Sequence, residues 1–172
     1  MKGARFSCIG VAVLATLGWQ AARAEIPQGT YAIARDHRAE IEAAIDVSVA
    51  KMNALIRSIA RKRLRDDNVA YERVRILRSA TDIEITFDDR KPIRMPVDGA
   101  PVQVVNEHGD KSAVTAQTEP ARLVQTYKGR DGTRVNTFRW DAEKAVLYLD
   151  VHTSSPRLPQ PVQYTLEYRP AS

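Results

Sequence analysis

From Tyr71 to Arg169 the chain is written in period two. Apolar residues alternate with polar ones in short runs, and turn-forming residues separate the runs. Val74 and Ile76 alternate with Arg73 and Arg75, and Ile83, Ile85 and Phe87 with Glu84, Thr86 and Asp88. A β-strand presents successive side chains to opposite faces, so each run is a strand with one face turned inward. Further strands are predicted near 93–95, 102–105, 112–117, 122–128, 133–140, 146–151 and 162–168. Their connections carry hairpin chemistry: Asp98-Gly99, His108-Gly109-Asp110, Gly129-Arg130-Asp131-Gly132 and Asp141-Ala142-Glu143-Lys144. Strands this short, with no helix between them, form an antiparallel meander. Curvature or closure is expected because it removes exposed edges.

Ahead of the meander the period changes. A first strand is read in 26–34, behind a Pro-Gln-Gly turn. Then Ile41, Ile45, Val49, Met52, Leu55, Ile56 and Ile59 recur at steps of three and four. At 100° per residue they share a stripe of about 120°, which predicts one long amphipathic helix over about 36–63. Asp36 is its expected N-cap, and Asp66, Asp67 and Asn68 mark its exit. The fold class is therefore α+β, mainly antiparallel β: a curved or closed meander over about 71–169 with one long N-terminal amphipathic helix.

Residues 1–24 read as an address. Lys2 and Arg5 precede an apolar run from Cys8 to Leu17, and Ala22-Arg23-Ala24 supplies a small-residue cleavage site. An apolar core of about ten residues is half what a membrane-spanning helix needs. The expected molecule is a periplasmic or secreted single domain over 25–172. Setting the address aside removes Lys2, Arg5 and Arg23 and no acid, so the formal charge of +5 falls to +2. The single cysteine leaves with it, so stability must come from a core rather than from disulfides. A charge of +2 without a nucleic-acid-binding motif excludes nucleic acid as the expected partner.

No catalytic or metal-binding pattern emerges. His37, His108 and His152 lie in different elements without ligand spacing, and each is read as a surface or turn residue. Asp150, His152, Ser154 and Ser155 bring triad ingredients together in sequence, but same-face strand neighbours stand about 6.5 Å apart and no nucleophile elbow is present. The acid pairs Asp66-Asp67 and Asp88-Asp89 read as turn formers. The chain is accordingly expected to be non-enzymatic, with no cofactor. Two surfaces stand out as candidates. Tyr127, Phe138, Leu147, Leu149, Tyr164 and Tyr168 form core positions of the later strands and, secondarily, a candidate ligand wall. Arg57, Arg61, Lys62 and Arg65, with Arg63, crowd the end of the helix, where they complement its dipole or meet an anionic envelope surface. Ser155–Pro161 holds three prolines and is a stiff loop.

One strand, a helical insertion and a run of hairpins resembles the calycins, the lipocalin and fatty-acid-binding families. The residues that carry the resemblance are Gly29-Thr30-Tyr31 and the segment Leu123-Val124-Gln125-Thr126-Tyr127-Lys128-Gly129-Arg130-Asp131-Gly132. The latter is similar to the late hairpin of fatty-acid-binding proteins. The chain departs from that pattern in two ways: one long helix is read where the family has two short ones, and Arg169 directly follows Tyr168 in place of an Arg-x-Tyr ending. The resemblance implies binding of a small apolar or amphipathic molecule inside a barrel. The alternative is an envelope interaction or assembly protein that uses the basic helix end or the Pro-rich loop.

Overall fold

A computed structural model describes residues 25–106 and 109–171. The expected signal peptide and His108 lie outside the described residues. Ten strands and two helices follow in the order β1 (Gly29–Ile33), α1 (Arg38–Val49), α2 (Ala54–Asp67), β2 (Arg73–Arg78), β3 (Asp82–Phe87), β4 (Ile93–Pro96), β5 (Val102–Val105), β6 (Lys111–Glu119), β7 (Arg122–Gly129), β8 (Thr133–Asp141), β9 (Val146–Ser154) and β10 (Val162–Pro170).

All ten strands belong to one antiparallel sheet in the order β4-β3-β2-β1-β10-β9-β8-β7-β6-β5. Each strand neighbours the next in sequence except β4 and β5. β1 closes the meander by pairing with β10, Tyr31 opposite Pro170 and Ile33 opposite Tyr168. The two sheet edges, β4 and β5, curl towards each other, and β4 also lies against β6, but β4 and β5 share no ladder. The result is a barrel hydrogen-bonded everywhere but at this seam. Pro92, Pro96 and Pro101 flank it, and proline cannot offer the free N–H that invites another strand.

Register and alternation agree strand by strand. Val162, Tyr164, Leu166 and Tyr168 of β10 stand opposite Thr153, Val151, Leu149 and Leu147 of β9, and all but Thr153 are buried. The same parity carries across β8 and β7, where Phe138 and Asn136 face Leu123 and Gln125. One end of the barrel is filled. Tyr31, Met95, Phe138, Leu149 and Leu166 are fully buried, and the crevice between Ile26, Ile76, Ile83 and Leu123 has a volume of only about 20 Å³.

The single long helix predicted over 36–63 is corrected to two. The chain turns at 50–53, where Asn53 leaves helical geometry and its Oδ1 accepts the Leu55 amide at 3.0 Å as the N-cap of α2. Arg57 reaches back from α2 to the Met52 carbonyl at 2.7 Å, closing the corner. The apolar stripe is thereby split. Ile41, Ile45 and Val49 of α1 are buried on the barrel, whereas Leu55, Ile56 and Ile59 of α2 face outward at 76%, 57% and 68% exposure. At the start of α1, Asp36 accepts the Arg38 amide, but the N-cap position itself is His37.

His37 is fully buried, which corrects its reading as a surface or turn residue. Its Nε2 accepts the Glu167 amide of β10 at 3.1 Å, while Nδ1, 4.0 Å from Glu40, makes no hydrogen bond. Burial, with Arg35 adding to it, depresses the imidazole pKa below 6.5. The neutral ring latches α1 to the barrel. A second latch is the Pro-rich connection, whose Gln160 carbonyl accepts the Ser48 hydroxyl at 2.6 Å.

Candidate ligand-binding site

The filled core ends below the helices. Between the C-terminus of α2, the β3–β4 turn and the β4–β5 seam lies a cavity of about 660 Å³. Its apolar wall consists of Phe87, Ile93, Val102, Val104, Tyr71 and Tyr127. Arg90, Lys91, Arg94 and Arg134 also line it, against two acids, Asp66 and Asp67. Val102 and Val104 share the inward parity of β5, opposite Val114 and Ser112. Gln103 and Val105 alternate with them and so point the other way, yet they too border the cavity, which therefore reaches through the seam.

A polar chain runs inward from the cavity: Arg134 and Asn136 border it, and Gln125, Tyr164 and Asn68 stand behind them. Gln125 Oε1 accepts Asn136 Nδ2 at 3.0 Å, and Asn136 Oδ1 accepts Arg134 Nε at 3.0 Å. Arg134 Nη1 donates to the Asp67 carbonyl at 2.9 Å and Nη2 to the Tyr164 hydroxyl at 3.4 Å. Tyr164 in turn donates to Asn68 Oδ1 at 3.2 Å, and Asn68 Nδ2 caps the Leu64 carbonyl at 2.8 Å. β7, β8, β10 and the end of α2 are thus tied together by side chains that face the interior. Burial pushes the phenols of Tyr127 and Tyr164 above the usual tyrosine value, against the opposing pull of Arg134. Both stay protonated and remain hydrogen-bond donors. A guanidinium has five N–H donors and three of Arg134's are engaged, so one on each Nη is free for an incoming acceptor.

The residues singled out in sequence fall in different places. Tyr127 lines the cavity. Tyr164 is buried and joins the polar chain behind it, while Phe138, Leu147, Leu149 and Tyr168 pack in the core. Tyr168 donates its hydroxyl to the Tyr71 carbonyl at 3.0 Å. Of the cations, Arg61 pairs with Asp46 at 2.8 Å, Arg65 holds Glu42 in a bidentate contact at 2.6–2.9 Å and Arg57 closes the inter-helix corner. Lys62 is exposed. The residues that sequence reading missed are Arg134, Asn136 and Gln125. Their signal was present: they are polar yet share parity with Tyr127 and Phe138 on strands whose inward face is otherwise apolar.

Triad chemistry has no geometry to use. Asp150 accepts from Arg139 Nε and from the Thr165 hydroxyl on the outside of the barrel, and His152 is exposed one same-face position further along the strand. Among the described residues no group of three or more His, Cys, Asp or Glu side chains converges as a metal site.

Comparison with solved structures places the fold. A fatty acid transporter, REP1-NXSQ, superposes with a TM-score of 0.53 at 12% identity, over 84% of this chain and 96% of its own. Human cRBP IV matches with 0.52 at 14% identity, over 86% and 100%, and apo lipid binding protein LBP-8 of Caenorhabditis elegans with 0.52 at 10%, over 84% and 94%. No protein-family model matches the chain, and no curated protein matches it in sequence. The fold is calycin-like. The pair of helices between β1 and β2 removes one of the two departures noted in the sequence.

Proposed function

We propose that this protein binds a small amphipathic molecule without transforming it. Its apolar part would lie against Phe87, Ile93, Val102, Val104 and Tyr127, and a carboxylate or similar anionic group would meet Arg134. The observation that carries the reading is the cavity itself. At about 660 Å³ it falls inside the range of small-molecule sites, and it combines an apolar wall with four cations against two acids. The likeness to structures described as a fatty acid transporter and a lipid binding protein supports the same reading, through fold alone.

The non-enzymatic reading rests on the way the titratable groups are used. Arg134, Tyr164 and Asn68 hold one another in a structural chain, and Asp150 is committed to Arg139 and Thr165. We further propose that the chain is exported to the periplasm or secreted. Lys2, Arg5, the apolar run and Ala22-Arg23-Ala24 support export, and a mature N-terminus at Glu25 in material recovered from the cell envelope is the expected result.

Binding is tested by adding 1-anilinonaphthalene-8-sulfonate to the purified chain and displacing it with long-chain carboxylic acids and with the matching alcohols. Native mass spectrometry would identify any molecule that co-purifies. Saturable probe binding displaced by the acids more strongly than by the alcohols is expected. Absence of both probe binding and a co-purified small molecule would sink the proposal.

A further inference from the structure

Leu55, Ile56 and Ile59 are large aliphatic side chains, each more than half exposed, on a helix that buries only Leu64. At 100° per residue they share a sector of about 120° with Lys62 and Arg63, on the side of α2 away from Leu64. Soluble proteins scatter single apolar residues over their surfaces, but three on adjacent positions of one short helix are an uncovered patch.

We infer that this outward face of α2 lies on an anionic lipid surface. The inference stands on the helix alone and holds whether or not the cavity takes a ligand. Three features select lipid over a protein partner. First, the cations adjoin the aliphatic residues on the same face, whereas the centre of a protein–protein interface is depleted in lysine. Aliphatic residues beside Lys and Arg are the pattern of a helix lying at a membrane interface. Second, the cations on this side are held less closely by acids than those turned towards α1. Lys62 has no ionic partner among the described residues, and Arg63 reaches Asp67 and Asp110 only at 3.9 and 3.7 Å. Arg61 and Arg65, in contrast, turn towards α1 and are neutralised by Asp46 and Glu42 at 2.8 and 2.6 Å. Third, α2 has 14 residues and is about 21 Å long, and no helix among the described residues can cross a bilayer, so the contact is with the interface and not through it. Asp66, at the far end of this face, marks where the helix lifts from the surface. Asp66 and Asp67 also border the cavity, so docking would set its mouth beside the lipid.

The contact surface assigned here differs from the basic run read in sequence. Leu55, Ile56, Ile59, Lys62 and Arg63 carry it, while Arg57, Arg61 and Arg65 serve the helix pair itself. The test is flotation of the full chain with phosphatidylcholine vesicles prepared with and without phosphatidylglycerol, at low salt. The N-terminal apolar run is common to every variant, so differences between variants carry the reading. Wild type is expected to prefer the phosphatidylglycerol vesicles. L55S/I56S/I59S should lose at least about tenfold in vesicle affinity, and K62A/R63A about fivefold per cation removed on the anionic vesicles only. All these side chains are exposed, so thermal midpoints should match wild type and certify folding. Flotation of the triple serine variant equal to that of wild type, or of K62A/R63A equal to that of wild type on the anionic vesicles, would overturn the inference. So would wild-type self-association in sedimentation velocity that the serine variant abolishes, since a second copy would then cover the face.

Discussion

Replacing Arg134 by leucine separates the two roles of its guanidinium. Arg134 supplies three hydrogen bonds, to Asn136, the Asp67 carbonyl and Tyr164, at 3.0, 2.9 and 3.4 Å. A hydrogen bond from a charged donor contributes about 1.5–3 kcal/mol net, but the third is long and the second lies at the exposed end of α2. About 2–4 kcal/mol of folding stability is therefore at stake, most of it from Asn136, whose Oδ1 would be left without its donor inside the barrel. For a chain of this size that corresponds to a fall of roughly 5–15 °C in Tm, readable by differential scanning calorimetry. The second role is specific to charge. With Arg134 gone, a long-chain carboxylate should lose about 2–3 kcal/mol of binding, roughly 30- to 150-fold, while its matching alcohol changes no more than about threefold. Isothermal titration with the acid and the alcohol on both proteins gives a double difference from which any general loosening of the barrel cancels. If acid and alcohol weaken by the same factor, Arg134 is a strut of the fold only and the anionic group is held elsewhere.

Three other perturbations follow from the same structure. His37 is kept neutral, so stability is complete above about pH 6.5 and is lost as the pH falls from there towards its depressed folded value, at no more than about 1.4 kcal/mol per pH unit. Urea midpoints between pH 7 and 5 should show that slope in wild type and not in His37→Asn; equal slopes would remove the latch. Val104→Trp projects into the cavity from β5 and should abolish probe binding while changing stability by less than about 1.5 kcal/mol, as checked by urea unfolding. Gly132→Ala would set a Cβ only 2.5 Å from the Ser154 carbonyl oxygen, so the β7–β8 and β9–β10 connections must shift. A loss of about 1–3 kcal/mol in unfolding free energy is expected.

The strands were legible because alternation and turn chemistry coincide: Val102–Val105 matches β5 residue for residue, and the other meander strands differ from their expected spans by a few terminal residues. The helix pair was not. A continuous helix and a broken one can share a periodicity, and Leu55, Ile56 and Ile59 fall by chance of spacing on the stripe begun by Ile41, Ile45 and Val49. No glycine or proline marks the corner at 50–53; the only local signal is Asn53, whose side chain caps α2. The burial of His37 was hidden because its acceptor role depends on the Glu167 amide, 130 positions away. The site was half legible. Tyr127 was legible as an apolar position of a late strand, but strand parity, which sets Gln125, Arg134 and Asn136 on the same inward face, was not followed to a polar cluster within the barrel. What sequence could not supply is the boundary between filled and open interior. Tyr31, Met95 and Phe138 fill one end, whereas Val102, Val104 and Tyr127, of the same character and parity, line the open end.

The unpaired seam between β4 and β5 sets how this interior responds to what enters it. Widening a barrel across any other pair of strands breaks ladder hydrogen bonds, each of which must then find water or go unsatisfied. Between β4 and β5 there are none to break. The wall that meets a guest through Ile93, Val102 and Val104 is therefore the compliant one, while the opposite wall, carrying Arg134 and Asn136 on the fully laddered β8, is stiff. Such a container tolerates variation in the girth of its contents and is exacting about where their polar atoms lie. Its discrimination resides in chemistry at one side and is relaxed about shape at the other.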